Sequence, residues 1–356
     1  MKMKLELVIL SFALIALLMT GCSPAPSYVV PETLFSEILN SDNPLEPRII
    51  ENNWRAFSTL GEAYRADGNL LKAKSTFNSF MNQRFDSDGG ELRSAHYDIM
   101  TEFGANLLRS ATEGVAVVVY YDQLFYSVMF AREVLGVKPN TRVIWAKALP
   151  AKAYRKHLKK TMGIDIPAEI LVSDNPAQKI HEGAVQLNFA WLTDSAEVPM
   201  FVSATVPPPL RPGGNSTSLG IGTLTGVQMT ADERFEREME LLRDVYVLSA
   251  VADTTLNYPE IIAGLVQWYS DPVLAHGKQR LVEGDSAAYA SMVDVLLDRL
   301  PSLWKPAAAY LYFTPELSED KRLEMVHIIE RYIKLNPHDR SAVRAYQEII
   351  DRDGEL

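Results

Sequence analysis

The chain is predicted to be α/β plus all-α, a small parallel-sheet α/β unit flanked by tetratricopeptide-like helical hairpins. Three observations predict this. FSTLGEAYRADGNLLKAKSTF (57–77) places Phe57, Leu60, Gly61, Tyr64, Gly68, Ala73 and Phe77 at the offsets of a tetratricopeptide repeat. GVAVVVYYD (114–122) and TRVIWAKAL (141–149) are apolar runs around a helix-spaced segment, the pattern of a strand, helix and strand. The last third returns to helical spacing with hairpin turns near Gly284 and at 335–337.

Each element follows from local chemistry. In the repeat, small Gly61 and Ala73 are expected to face each other across a hairpin spanning about residues 52–81, with Phe77 filling the groove. One repeat cannot bury its own apolar face, so it needs neighbours. The run 114–122 is long enough for a strand buried on both faces. Leu124, Val128, Phe130, Val134 and Leu135 then have helical spacing, ending at Gly136, a natural C-cap. A strand, a crossover helix and a second strand predict a parallel pair. VPMFVSATV (198–206) is a third strand after a helix near 176–192, and PPPLRPGGNSTS (207–218) breaks regular structure. LVEGDSAAYASMVDVLLDRLP (281–301) and MVHIIERYIKLNPHDRSAVRAYQEII (325–350) read as degenerate hairpins. The resulting units are 1–21, a signal peptide; 22–31, a proline-rich linker; 32–95, helical hairpins; 96–228, the α/β unit; and 229–356, a helical repeat region.

The first residues combine Lys2 and Lys4, an apolar run from Leu7 to Met19, and small residues before Cys22, the order of a secretory signal. That run is too short for the roughly 20 residues of a spanning helix. Met19-Thr20-Gly21-Cys22 resembles a bacterial lipobox, which implies acylation (a palmitate-type chain) at Cys22. Acyl chains contribute about 0.8 kcal/mol per buried methylene, so Cys22 acts as a membrane tether. Ser23, where an Asp would retain the protein at the inner membrane, points to the outer membrane and a periplasmic location. The rest of the chain is built without thiols.

About 335 residues remain after cleavage, enough for two or three packed units. The 35 basic and 45 acidic residues give −10; removing Lys2, Lys4 and Glu6 leaves −11. Phosphate backbones demand the opposite sign, so no nucleic acid is expected as a partner. His96, His157, His181, His276, His327 and His338 are scattered, with no complete H-E-x-x-H, so neither a metal nor another cofactor is expected. Ser218 stands where a nucleophile elbow needs its second glycine, and GIGTLTG (220–226) has Gly226 one residue late for a dinucleotide fingerprint. Asn215-Ser216-Thr217 is read as a chance sequon. No catalytic residue is assigned.

Phe103 to Leu149 resembles the soluble C-terminal region of multi-spanning membrane proteins related to protein O-mannosyltransferases. The matching residues are Asn106, Leu107, Leu108, Asp122, Glu133, Gly136, Val137, Pro139 and Val143. Lys138 and Asn140 depart from that family's usual Arg and Asp, and its multi-spanning half is missing. Because the family's lipid-linked sugar and catalytic acid belong to that half, the resemblance implies a partner-binding role linked to envelope glycosylation rather than transfer.

Asp122 is the candidate ligand-site residue, since a carboxylate at the carboxyl end of a parallel strand sits where open α/β sheets place ligands. The bland reading is a cap on the next helix. Trp268, Tyr269, Trp304, Tyr310 and Tyr312 are core residues or partner contacts on a concave face. The expected function is a non-catalytic, lipid-anchored envelope adaptor binding a protein partner. The alternative is a glycan-handling enzyme or small-ligand receptor using the α/β unit around Asp122.

Overall fold

The computed structural model describes residues 31–41, 46–85, 92, 94–167, 170, 178–195, 199–207, 210–212, 215–314 and 317–354. The expected signal segment and linker, residues 1–30 with Cys22 among them, lie outside the described residues, as does the side chain of His181. The described chain is mostly helical with one small mixed sheet. Among the described residues no helix is long and apolar enough to cross a membrane.

Helices α1 (Pro31–Leu39), α2 (Pro47–Asp67) and α3 (Leu70–Phe85) open it. Pro47 occupies the first turn of α2, where its missing N–H costs nothing, and Gly68 ends the helix at φ 66°. A helix-turn-helix therefore stands where the 52–81 hairpin was expected. Its apolar face is covered by the α/β unit: Phe57 stacks on Tyr126 with centroids 5.9 Å apart, and Phe77 on Phe130 at 4.5 Å. Both partners lie on the helical segment made of α5 (Asp122–Met129) and the π-helical turn 130–134. Gly61 differs from expectation. A Cβ there would lie 2.1 Å from the carbonyl oxygen of Glu133, so the missing side chain makes room for that π turn.

Helix α4 (Ser94–Ser110) precedes β1 (Ala116–Val119), all four of whose residues are buried. After α5 come β2 (Val143–Trp145), α6 (Lys152–Met162), α7 (Gln178–Ser195) and β3 (Met200–Ser203). The sheet order is β2-β1-β3-β5-β4, and β1 runs parallel to both β2 and β3. The expected purely parallel sheet is thus corrected. Strands β4 (Ser216–Leu219) and β5 (Gly222–Thr225) form an antiparallel hairpin that extends it. Ser216, Thr217 and Ser218, assigned to a loop, gave no apolar signal, because this strand buries only alternate residues. Gly222 sits where a Cβ would meet the Phe201 ring at 2.4 Å, so the glycine-rich run serves sheet pairing.

Helix α8 (Ala231–Glu240) starts on a capping box formed by Thr230 and Glu233 and runs into a π-helical turn at 241–245. There follow α9 (Glu260–Gln267), α10 (Asp271–Val282), α11 (Ser286–Arg299), α12 (Trp304–Phe313), α13 (Glu319–Leu335) and α14 (Arg340–Gly354). Gly284, at φ 92°, makes the expected turn before α11. Asn106 joins this region to α4: its amide donates to the Val247 carbonyl at 2.7 Å and its oxygen accepts from the Val247 N–H at 3.0 Å.

His157 on α6 packs its ring 4.2 Å from Trp54 on α2. Burial, helped by Arg132 and Lys160, lowers its pKa below the ordinary value. The folded protein therefore favours neutral His157. Its contribution to stability is complete above the ordinary histidine pKa of about 6.5 and is lost as pH falls through the lower folded value. Urea unfolding at neutral and mildly acidic pH is expected to show a smaller acid loss for His157→Leu than for the parent. Equal losses would show that His157 does not carry this dependence.

Candidate functional site

The strand order creates a specific place for a ligand. From β1 the chain leaves toward β2 on one side, and from β3 it leaves toward the β4–β5 hairpin on the other. The two loops diverge at the carboxyl ends of neighbouring parallel strands, a topological switch point where open α/β sheets form crevices. A cleft of about 460 Å³ lies there. Its residues following β1 are Tyr121, Gln123 and Leu124, and those following β3 are Thr205, Val206 and Pro207. Met100 from α4 contributes to the wall, while Ile261, Gly264, Leu265 and Trp268 bring α9 against it.

Among the described residues Arg211 is the only cation in this lining. Its guanidinium carbon lies 5.0 Å from the Trp268 ring centroid, and its Nε donates to the Val206 carbonyl at 3.2 Å. The stacking and the backbone bond hold the planar group at the cleft. Among the described residues no carboxylate pairs with Arg211. Two large apolar side chains, Tyr121 and Ile261, are each 48% exposed here. A more open groove between α1 and α2 is polar, and its Glu37 is ion-paired with Arg48 at 3.0 Å.

Asp122 lies beside the cleft and does not line it. It is the first residue of α5, the N-cap position belongs to Tyr121, and no side chain caps the helix. The cap reading is therefore corrected. The buried carboxylate instead pairs with Lys147, just beyond β2, at 3.1 Å, and its position in the first turn also suits the helix dipole. Lys147 is 39% exposed, so solvent weakens the pair. Asp122→Asn is expected to cost about 1 kcal/mol or less in urea unfolding and to leave cleft binding unchanged. A folded Asp122→Asn protein with binding reduced about tenfold would return Asp122 to the site.

The aromatic candidates divide. Trp268 lines the cleft, whereas Tyr269 is fully buried and accepts a hydrogen bond from Asn106 at 2.9 Å. Trp304 is buried, and Tyr310 and Tyr312 are half-buried against the core. His96 bonds the Asn257 carbonyl and His276 the Glu238 carboxylate. Among the described residues no three His, Cys, Asp or Glu side chains converge to hold a metal.

Sequence reasoning missed Arg211, Ile261 and Gly264. Arg211 sat unremarked within a proline-rich loop. Gly264 did leave a signal: a glycine in the apolar helix EIIAGLVQ costs about 1 kcal/mol against alanine, which calls for a reason. A Cβ at Gly264 would meet nothing within 4 Å, so no close contact demands glycine there, and the missing side chain leaves that stretch of the cleft wall open.

Comparison with known proteins finds no matching family model, no matching curated protein and no matching solved structure.

Proposed function

We propose that the protein is a lipid-anchored, non-catalytic binding protein of the cell envelope, tethered through Cys22, which receives a small ligand in the cleft between the ends of β1 and β3. The helical regions act as its scaffold. The observation that carries this reading is the cleft itself: a concave, largely apolar space at the sheet's switch point, of the size small-molecule sites have. Arg211, held against the Trp268 ring, supplies orientation. Glycan handling is the less supported alternative, because a sugar would leave hydroxyl groups unpaired against Met100, Leu124, Val206 and Leu265.

Gly264→Leu tests the cleft. A Cβ at Gly264 would meet nothing within 4 Å and the position lines the cleft, so the leucine is expected to occupy the cleft, with folding kept and binding lost. With a photoreactive residue at Tyr121 in intact cells, an adduct is expected in the parent and its loss on adding Gly264→Leu. An adduct of unchanged yield in the Gly264→Leu background would refute the cleft as the site. The tether is tested separately. Cys22→Ser is expected to remove lipid modification and release the folded protein from membranes; retention in the membrane fraction after high-salt washing would refute acylation as the anchor.

A further inference from the structure

We infer that the ligand of this cleft is an apolar molecule bearing one carboxylate, its hydrocarbon part among Met100, Leu124, Val206, Ile261 and Leu265 and its anion on Arg211. The inference rests on the binding-protein reading above and adds the ligand's chemistry.

The walls set the hydrocarbon requirement. They bring methionine, leucine, valine, isoleucine and the Trp268 ring to one space, and Ile261 remains 48% exposed at its edge. Covering that surface is favourable in proportion to the apolar area removed from water. A rigid, fully polar solute gains nothing from it.

Charge complementarity sets the anion. Arg211 uses Nε on the Val206 carbonyl and lies against Trp268, and its terminal nitrogens have no carboxylate partner among the described residues. Such a group presents two parallel donors, the geometry that a carboxylate accepts. The opposite wall brings no negative charge: Gln123 and Leu124 line it, and neither side chain is ionisable. Asp122, the nearby acid, is already paired with Lys147. A cationic amphiphile would meet Arg211 unfavourably, and a neutral one would gain no charge-assisted bond from it.

The test titrates the full-length protein with carboxyl-labelled octanoate, and with octanol and octylammonium as neutral and cationic counterparts, by NMR. Octanoate is expected to bind about tenfold or more tightly than either. Arg211→Gln, a change at an exposed position, should remove the advantage of acid over alcohol and leave octanol unaffected. Gly264→Leu should abolish binding of all three. Equal affinity for octanoate and octanol in the parent, with both lost in Gly264→Leu, would overturn the carboxylate assignment while leaving the cleft in place. Octanoate binding that survives Gly264→Leu would overturn both.

Discussion

Glu238→Leu is expected to destabilise the fold by about 3 to 4 kcal/mol, measured as a lowered urea midpoint. Glu238 on α8 is fully buried and accepts from Nδ1 of His276 on α10 at 2.7 Å and from Nε of Arg234 at 3.1 Å. His276 is itself 2% exposed, and its Nε2 has no hydrogen-bond partner among the described residues, so the Glu238 contact is the anchor of that ring. Leucine removes the acceptor from both neighbours and leaves Arg234, partly covered, beside an apolar side chain. An unpaired buried polar group costs more than the intact pair contributes. Glu238→Gln keeps an oxygen in place and is expected to lose less than half as much. Parent-like stability in Glu238→Leu would mean that α8 and α10 are held by apolar packing alone.

The second large effect is expected at Gly61. Alanine is a better helix former than glycine by roughly 1 kcal/mol, and on an exposed helix Gly61→Ala would stabilise. Here the new methyl would lie 2.1 Å from the Glu133 oxygen and 2.8 Å from its carbon, both backbone atoms of a turn that cannot rotate away. That oxygen also accepts from Nη1 of Arg65, one turn along α2, at 2.9 Å, so the shift that relieves the clash also breaks this bond. The net result is a loss of about 2 to 3 kcal/mol. Thermal unfolding of Gly61→Ala at or above the parent's midpoint would show that α2 does not approach 130–134 this closely.

These two sites mark what the sequence disclosed and what it hid. The runs around Val117, Ile144 and Phe201 were legible as strands because they are buried on both faces and hence almost continuously apolar. The helix-turn-helix around Gly68 was legible because its left-handed turn needs glycine. Gly61 was recognised as a close-approach residue, yet its partner was misplaced: repeat spacing points to Ala73, and nothing local to residue 61 reveals Glu133. The hairpin of β4 and β5 was hidden by its serines and threonines. For the site, the strand-end principle pointed to the right region and to the wrong side chain. Asp122 turns toward Lys147, and the cleft falls to its neighbours Tyr121 and Gln123. The other walls come from residues 100, 205–207, 211 and 261–268, which share no spacing and meet only when the sheet and α9 are in place.

Occupancy of this cleft in the cell tests the central claim most directly, and the chain's single cysteine, Cys22, makes the measurement clean. Ile261→Cys places a thiol at the cleft's edge, where the native side chain is 48% exposed, and Val282→Cys places one on α10, where it is 88% exposed. A small membrane-permeant thiol reagent should modify both rapidly in the purified protein. In intact cells the account predicts that Ile261→Cys reacts about tenfold more slowly than in the purified protein, that Val282→Cys is unchanged, and that adding Gly264→Leu restores the fast rate at 261. Ile261→Cys reacting as fast in cells as in isolation would contradict it.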